Sequence, residues 1–272
     1  MVPTPQATKT LCDLCGGSQF TMLHEWPVGD FWNPAKVPIA VWQCNHCRLV
    51  LLYPVPTADQ LPDAGDWWSK ERKHFQRRRW FKTRWAKVRL ALIGDSRDRL
   101  INATRRILPT GKLLDIGCGC GDFLVRASKY YAGTGLEPSP TAAAATRQLG
   151  FPVIEATLEG TVIEPGSFDL VTLDSVIEHV PSPMAALRKI NTILKPNGIV
   201  VLKTPKFGGP AYRSHGSGWN GFRHGYHTFL FSGKTLGQYL EKTGFEVLSR
   251  PRRDRALDDI LILWGRKVRE IS

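Results

Sequence analysis

From Lys112 onward, short apolar runs alternate with helix-length segments, and this alternation narrows the fold more than any other feature of the chain. KLLDIG, AGTGLEP, FPVIEAT, SFDLVTLDS and GIVVLKTP read as strands. GDFLVRASKYY, TAAAATRQLG and PMAALRKINTILKPNG, set between them, read as helices. Strands and helices in this rhythm build a mostly parallel sheet with right-handed crossovers. SGKTLGQYLEKTG then predicts a helix opened by Ser232 as N-cap and closed by Gly244, and FEVLSR and DDILILWGRKV predict two final strands.

The first strand runs into D-I-G-C-G-C-G-D, residues 115–122, with Gly117, Gly119 and Gly121 alternating. Glycine lets backbone turn tightly and approach a ligand without an intervening Cβ. A dinucleotide fingerprint would be G-x-G-x-x-G, with glycine or alanine at position 122. That position is Asp122, whose charge opposes a pyrophosphate at the helix N-terminus.

The segment 110–265 instead resembles the class I S-adenosylmethionine-dependent methyltransferases, through five motifs in order: DIGCGCGDF, GLEPSP, EATLEG, SFDLVTLDSVIEHVPSP and LKPNGIVVLKTP. The resemblance implies a Rossmann-like α/β fold with a seven-stranded sheet whose last hairpin is antiparallel. It also implies S-adenosyl-L-methionine as cofactor, a sulfonium cation without phosphate. On this reading Glu137, with Pro138 after it, holds the ribose hydroxyls. Asp115 receives the ammonium of the amino-acid tail. Gly117, Cys118, Gly119 and Gly121 form the turn, Thr157 and Leu158 lie beside the adenine, and Asp174 ends the fourth strand. Many relatives carry aspartate where Thr157 stands. Cys118 and Cys120 are read as small filler.

Residues 12–47 hold two C-x2-C knuckles, Cys12/Cys15 and Cys44/Cys47, with 28 residues between them. Four thiolates at this spacing complete a closed tetrahedral zinc site, and redox chemistry is the lesser alternative. His46 offers a substitute ligand. A closed site leaves no open position for catalysis, so the module reads as architecture or recognition. The expected division is a zinc ribbon at 1–56, a linker with basic amphipathic helices at 57–109, and the methyltransferase domain at 110–272.

Charge enters at this point. The chain carries a net charge of +13, and residues 70–106 hold 14 Lys/Arg against 3 Asp/Glu. Such a block attracts anions or simply solvates a helix face. Phe81, Trp85, Val88 and Leu92 predict one amphipathic helix, continued by a second over 97–107. With no leader-like N-terminus and no apolar run of membrane length, the expected location is the cytoplasm.

Methyl transfer to oxygen needs an aligned acceptor and a base. Candidates are Glu178 and His179 after the fourth strand and His224 and His227 after the fifth. The knuckles, EHVPSP and the glycine- and histidine-rich loop before FLFS resemble a bacterial subset acting on glycans, sugars or secondary metabolites. In that subset His227 matches the histidine of the loop, which places it in the acceptor pocket. Trp219, Phe222, Tyr226 and Phe229 read as a lid or as core, and the loop's glycines as a mobile segment. Ubiquinone-pathway O-methyltransferases and small-RNA 2′-O-methyltransferases carry E-x-x-E-H there and bind a divalent metal. This chain has S-V-I-E-H, with Ser175 at the first glutamate, so a metal would rest on Glu178, His179 and His227. Three functions stay open: O-methylation of a small-molecule or glycan acceptor, possibly anionic; methylation of RNA; and a cofactor-binding scaffold without turnover. The sequence leaves the oligomeric state open.

Overall fold

A computed structural model describes residues 10–30, 35–56, 60, 96–225, 227–248 and 259–271. The amphipathic helix expected over 81–92 and Tyr226 lie outside the described residues, as do the side chain of His224 and Phe31, Trp32 and Pro34 between the knuckles. Among the described residues no helix is long and apolar enough to cross a membrane.

The chain opens with three antiparallel strands, β1 (Phe20–Trp26), β2 (Ile39–Cys44) and β3 (Val50–Tyr53). Helix α1 (Ser96–Arg105) follows, where a helix over 97–107 was expected. The α/β run then reads β4 (Gly111–Ile116), α2 (Asp122–Ala127), β5 (Tyr131–Leu136), α3 (Pro140–Gln148), β6 (Val153–Ile154), β7 (Phe168–Asp174), α4 (Pro183–Ile193) and β8 (Leu194–Pro205). After it come a short helix α5 (Pro210–His215), the two-residue strand β9 (Phe229–Leu230), α6 (Gly233–Lys242), β10 (Phe245–Leu248) and β11 (Ile260–Lys267).

The large sheet has seven strands in the order β10-β11-β8-β7-β4-β5-β6. Pairing is parallel from β8 through β6, and β11 runs antiparallel to both β8 and β10. This is the expected methyltransferase sheet. Its strand order reverses between β4 and β7, so the crossovers diverge there and leave a crevice at the strands' C-terminal ends, where ligands of open α/β sheets bind.

Local chemistry sets the helix starts. Ser139 and Ser182 each accept from a backbone N–H three residues on, and proline follows each at the first helical position. Ser232 and Thr235 form a reciprocal capping box for α6, as expected of Ser232.

Two helices are shorter than the pattern suggested. The helix over 183–198 stops at Ile193, because Leu194 turns extended ahead of Lys195-Pro196 and Asn197 takes a left-handed φ of 63°. The helix after the glycine turn ends at Ala127, since β5 begins at Tyr131. The stretch 206–231, expected as a mobile glycine loop, instead holds α5, two short 3-10 turns and β9.

The small sheet takes its fourth strand from this stretch: β9 pairs antiparallel with β3, Leu51 opposite Phe229 and Val50 opposite Leu230. Both faces of the small sheet are covered. Ile39, Val41, Val50 and Leu52 pack with Trp26, Trp219 and Phe222. Ala40, Trp42, Leu49 and Leu51 on the other face join Phe229, Phe231, Leu236 and Tyr239 in a core continuous with the large sheet.

Candidate functional site

Three carboxylates sit at or just beyond the C-terminal ends of β4, β5 and β7: Asp115, Glu137 and Asp174. Each has partners supplied by the fold. Asp115 lies opposite Thr172 in the β4–β7 register and accepts the Thr172 hydroxyl at 2.7 Å. Burial pushes its carboxyl up to about 7, against the pull of that hydrogen bond. Asp174 lies opposite Lys203 and pairs with its ammonium at 2.8 Å, while Arg97 of α1 approaches to 3.6 Å. The carboxylate of Glu137 accepts the N–H of Gly119 through one oxygen and that of Ser139 through the other, both at 2.9 Å. Burial still raises it above the ordinary range.

The glycine turn is shaped by exclusion. Gly117, Gly119 and Gly121 all take left-handed φ values, of 68°, 54° and 81°. A Cβ at Gly117 would stand 2.5 Å from a Val176 methyl. The Gly119 carbonyl accepts the Thr146 hydroxyl at 2.7 Å, which pins the turn to α3. Cys118 is buried, its thiol pushed up to about 12 by burial and then by the charges of Asp115 and Glu137, so it holds its proton and fills space. Its sulfur occupies the place a Cβ on Gly135 would need.

Pro138 and Thr157 are exposed, and Leu158 is buried in the main core. Thr157 accepts the Gly160 N–H through its hydroxyl in a local turn. The residues present fit S-adenosylmethionine. The glycines clear backbone for close approach, and Glu137 retains acceptor capacity for two hydroxyls after its two amide bonds. The carboxylates favour a cation over a phosphate.

A second constellation lies past the end of β7. Ser175 adopts a left-handed φ of 61°, turning the chain so that Glu178 and His179 follow at once. Glu178 is 1% exposed, and among the described residues neither of its carboxylate oxygens has a partner in good hydrogen-bond geometry, the nearest donors being its own backbone N–H and the Thr204 hydroxyl. Burial pushes it up to about 7, with the Thr204 hydroxyl beside it acting in the opposite direction. His227 is 4% exposed, and its Nδ1 lies 2.7 Å from the Gly221 carbonyl. A carbonyl only accepts, so Nδ1 is the donor in that bond. The His179 and His227 rings meet edge to face with centroids 4.7 Å apart. Glu178, His179 and His227 each offer a ligand atom within 4.8 Å of the others. His224 lies in the 3-10 turn Asn220–Gly225. Of the expected lid residues, Trp219 and Phe222 are buried against the small sheet beside His24 and Trp26.

The four knuckle cysteines converge as expected. Cys12 and Cys47 sulfurs are 3.5 Å apart, those of Cys15 and Cys44 3.6 Å, and all four lie within 4.8 Å. A zinc–sulfur bond of about 2.3 Å places tetrahedral neighbours about 3.8 Å apart, so the cluster fits zinc. Burial first, and then the neighbouring cysteine sulfurs, push the Cys47 thiol up to about 11 and Cys12 higher, and a bound cation is what would hold them as thiolates. His46 is exposed and is not part of the cluster.

Sequence reasoning passed over Thr172, Thr146, Lys203 and Arg97, which hold the cofactor-side groups in place. Strand alternation was the available signal for Thr172 and Lys203, since each lies in a fixed register opposite a carboxylate that was singled out.

Similarity to known proteins follows the large sheet. The Thermotoga maritima structure described as an S-adenosylmethionine-dependent methyltransferase, possible histamine N-methyltransferase, superposes with a TM-score of 0.54 at 25% identity, covering 72% of this chain and 97% of that one. The 1,6-didemethyltoxoflavin N1-methyltransferase of Burkholderia thailandensis, at 18% identity and a TM-score of 0.50, covers 82% of this chain and 96% of its own, and shows the fold alone. Among curated proteins, the ubiquinone biosynthesis O-methyltransferase of Xanthomonas campestris is 33% identical over 110 residues, 38% of this chain and 46% of that one. Its Pseudomonas aeruginosa counterpart is 36% identical over 101 residues, covering 34% of this chain and 44% of that one. The chain thus spans about half the length of the curated relatives it matches. Residues 55–250 match the family described as Methyltransferase domain, and with the fold they carry they make this chain a member of that family.

Proposed function

We propose that the protein transfers the methyl group of S-adenosylmethionine to a hydroxyl of a small-molecule, sugar or secondary-metabolite acceptor, with His227 as the base. The observation that carries this reading is the buried imidazole of His227, whose Nδ1 lies against the Gly221 carbonyl and whose ring meets that of His179 just past the end of β7. The names of the curated relatives, ubiquinone biosynthesis O-methyltransferases, favour oxygen as the nucleophile.

The cofactor supplies an electrophilic sulfonium methyl and a neutral thioether leaving group. The chain's own residues do the rest. Asp115, Glu137 and the glycine turn fix where the methyl sits. His227 would take up the proton of the acceptor hydroxyl, and the edge-on ring of His179 limits how the imidazole can tilt.

The test uses mass spectrometry with cofactor and a probe set of a catechol, a phenol, a nucleotide sugar and total RNA. Methylation of one small hydroxyl compound, lowered about 10²- to 10⁴-fold in His227→Ala with S-adenosylhomocysteine affinity unchanged, is the expected result. Full transfer by that variant, or methylation of RNA alone, would sink the reading.

A second reading has one observation in its favour. The Glu178 carboxylate, without a well-formed hydrogen bond among the described residues, stands within ligand distance of His179 and His227. A divalent cation held by these three would satisfy it and leave open coordination positions for a hydroxylate. Adding Mg²⁺ to the zinc-loaded protein in otherwise divalent-free buffer separates the two: the base reading predicts unchanged transfer, the metal reading a rise that Glu178→Gln abolishes.

A further inference from the structure

The zinc knuckles touch the catalytic half of the chain through side chains that have no part in binding metal. Asp13 lies between Cys12 and Cys15. Its Oδ1 accepts the Ser182 hydroxyl at 2.5 Å, and its Oδ2 accepts the Met184 N–H at 3.0 Å and the Tyr239 hydroxyl at 2.9 Å. Ser182 is the N-cap of α4, so Asp13 adds a full negative charge to a helix start that has no acidic residue of its own. Lys242 of α6 donates to the Leu14 carbonyl at 2.8 Å, which makes a fourth bond to the same knuckle.

The second knuckle runs straight into β3, and β3 leads to His227. Leu52 donates its N–H to the Thr228 carbonyl at 2.9 Å, and β3 then pairs with Phe229 and Leu230. The Thr228 N–H, on the other side of the same residue, donates to the Glu178 carbonyl at 2.8 Å, and Phe229 donates to that carbonyl at 3.2 Å. One residue beside His227 is therefore held between the zinc-bearing sheet and the backbone of Glu178.

We infer that the knuckles are a positioning device for β9 and the two residues just ahead of it, His227 and Thr228, with Asp13 as the positioning residue that fixes the knuckle to α4 and α6. The device aligns His227 against Glu178 and His179 and leaves the cofactor turn untouched, because Gly117, Gly119 and Glu137 take their contacts from β5, α3 and the loop after β7. That this strand faces the acceptor rests on the function proposed above; the coupling between knuckle and strand does not.

The test needs no acceptor. Amide hydrogen exchange is followed by mass spectrometry in the zinc-loaded full chain, in the chelated chain, in Asp13→Asn, and in Tyr239→Phe/Lys242→Met, whose changes lie on α6 and leave the knuckle sequence intact. Zinc content is measured in each. Affinity for S-adenosylhomocysteine is measured by calorimetry, and the hydrogen-bonded Nδ1–H of His227 is followed as a low-field proton resonance, assigned by its loss in His227→Asn.

In both variants the expected result is exchange at 50–52 and 227–230 faster by about tenfold, as for the loss of one charge-assisted hydrogen bond. The His227 resonance should broaden, and S-adenosylhomocysteine affinity should stay within about threefold of the parent. Chelation should produce the same regional change, larger. Unchanged exchange at 227–230 in both variants would overturn the inference. So would a loss of S-adenosylhomocysteine affinity in step with the exchange, since the knuckle would then stabilise the whole domain. Regional loosening with full methyl transfer on an acceptor found later would leave the coupling standing and count against the acceptor-site assignment.

Discussion

The cofactor end of the sheet and the Glu178–His227 constellation differ in how their charges are treated. At the cofactor end, Asp115 and Asp174 are answered across the strands by Thr172 and Lys203, and Glu137 by two backbone amides. These groups are held before any ligand arrives. Some 60 residues from Asp115 in the chain, Glu178 is equally buried and, among the described residues, has no partner of that kind, only its own backbone and the Thr204 hydroxyl nearby. Pre-organised groups bind at low reorganisation cost. An unanswered buried carboxyl is a strain that a proton, a cation or a substrate donor relieves. The comparison assigns the two ends different tasks: one holds a constant ligand, the other waits for a change in charge.

Several measurements would break or sharpen this contrast. The largest effect is expected from Lys203→Met, which strips the buried partner from Asp174. It should lower unfolding stability by about 3 kcal/mol, read from denaturant midpoints, moderated by Arg97 nearby. Gly117→Ala comes next: its left-handed φ and the 2.5 Å approach to Val176 should cost about 2 kcal/mol and weaken S-adenosylhomocysteine binding at least tenfold in calorimetry.

Glu178→Gln should act with the opposite sign. A carboxyl raised to about 7 keeps its proton in the folded state while the unfolded chain gives it up near 4.3. The folded state then binds more protons, so stability falls as pH rises from about 4.3 to about 7 and stays low above that. Removing the charge should therefore stabilise the chelated protein at pH 8 by about 1–2 kcal/mol and change little at pH 4. A destabilised Gln variant at pH 8 would show that Glu178 has an answer after all.

Asp115 gives a smaller effect. Its carboxyl, raised to about 7, must ionise to receive an ammonium, so S-adenosylhomocysteine affinity should climb between pH 6 and pH 8. The climb should approach tenfold per unit at the acid end, about 1 kcal/mol, and vanish in Asp115→Asn. The smallest change belongs to Arg147→Ala, whose half-exposed pair with Glu155 at 2.8 Å should be worth less than about 0.5 kcal/mol in thermal melts.

The same contrast explains how much could be read from the sequence. DIGCGCGD, GLEP and SFDLVTLD are contiguous, and each strand end presents its group by period-2 alternation, so Asp115, Glu137 and the glycines are visible in one dimension. The zinc ligands are visible for the same reason, as fixed spacings of one residue type. What stayed hidden depends on distant chain meeting distant chain. Nothing in FLFS announces that Phe229 and Leu230 complete a sheet begun at Phe20, because a two-residue strand has no periodicity to detect. Asp13 looks like filler between two cysteines until Ser182 and Tyr239 come to it. The aromatic residues of 206–231 were split between lid and core on composition, and only packing against Trp26 and Ile39 makes Trp219 and Phe222 core. The early end of α4 was legible in Lys195-Pro196, since the residue before proline avoids helical backbone.

The shared β3–β9 edge also has a consequence for how the chain is made. Val50 leaves the ribosome 180 residues before its partner Leu230. At ordinary synthesis speeds that is an interval on the order of ten seconds or more. Through it, VLLY is a finished strand with an open, apolar edge, the kind of surface that recruits a neighbouring chain. The two knuckles are complete by Cys47, so metal can lock the rest of the sheet early, but the metal cannot close that edge. Protection of the nascent chain therefore falls to whatever covers β3 until residue 230 arrives.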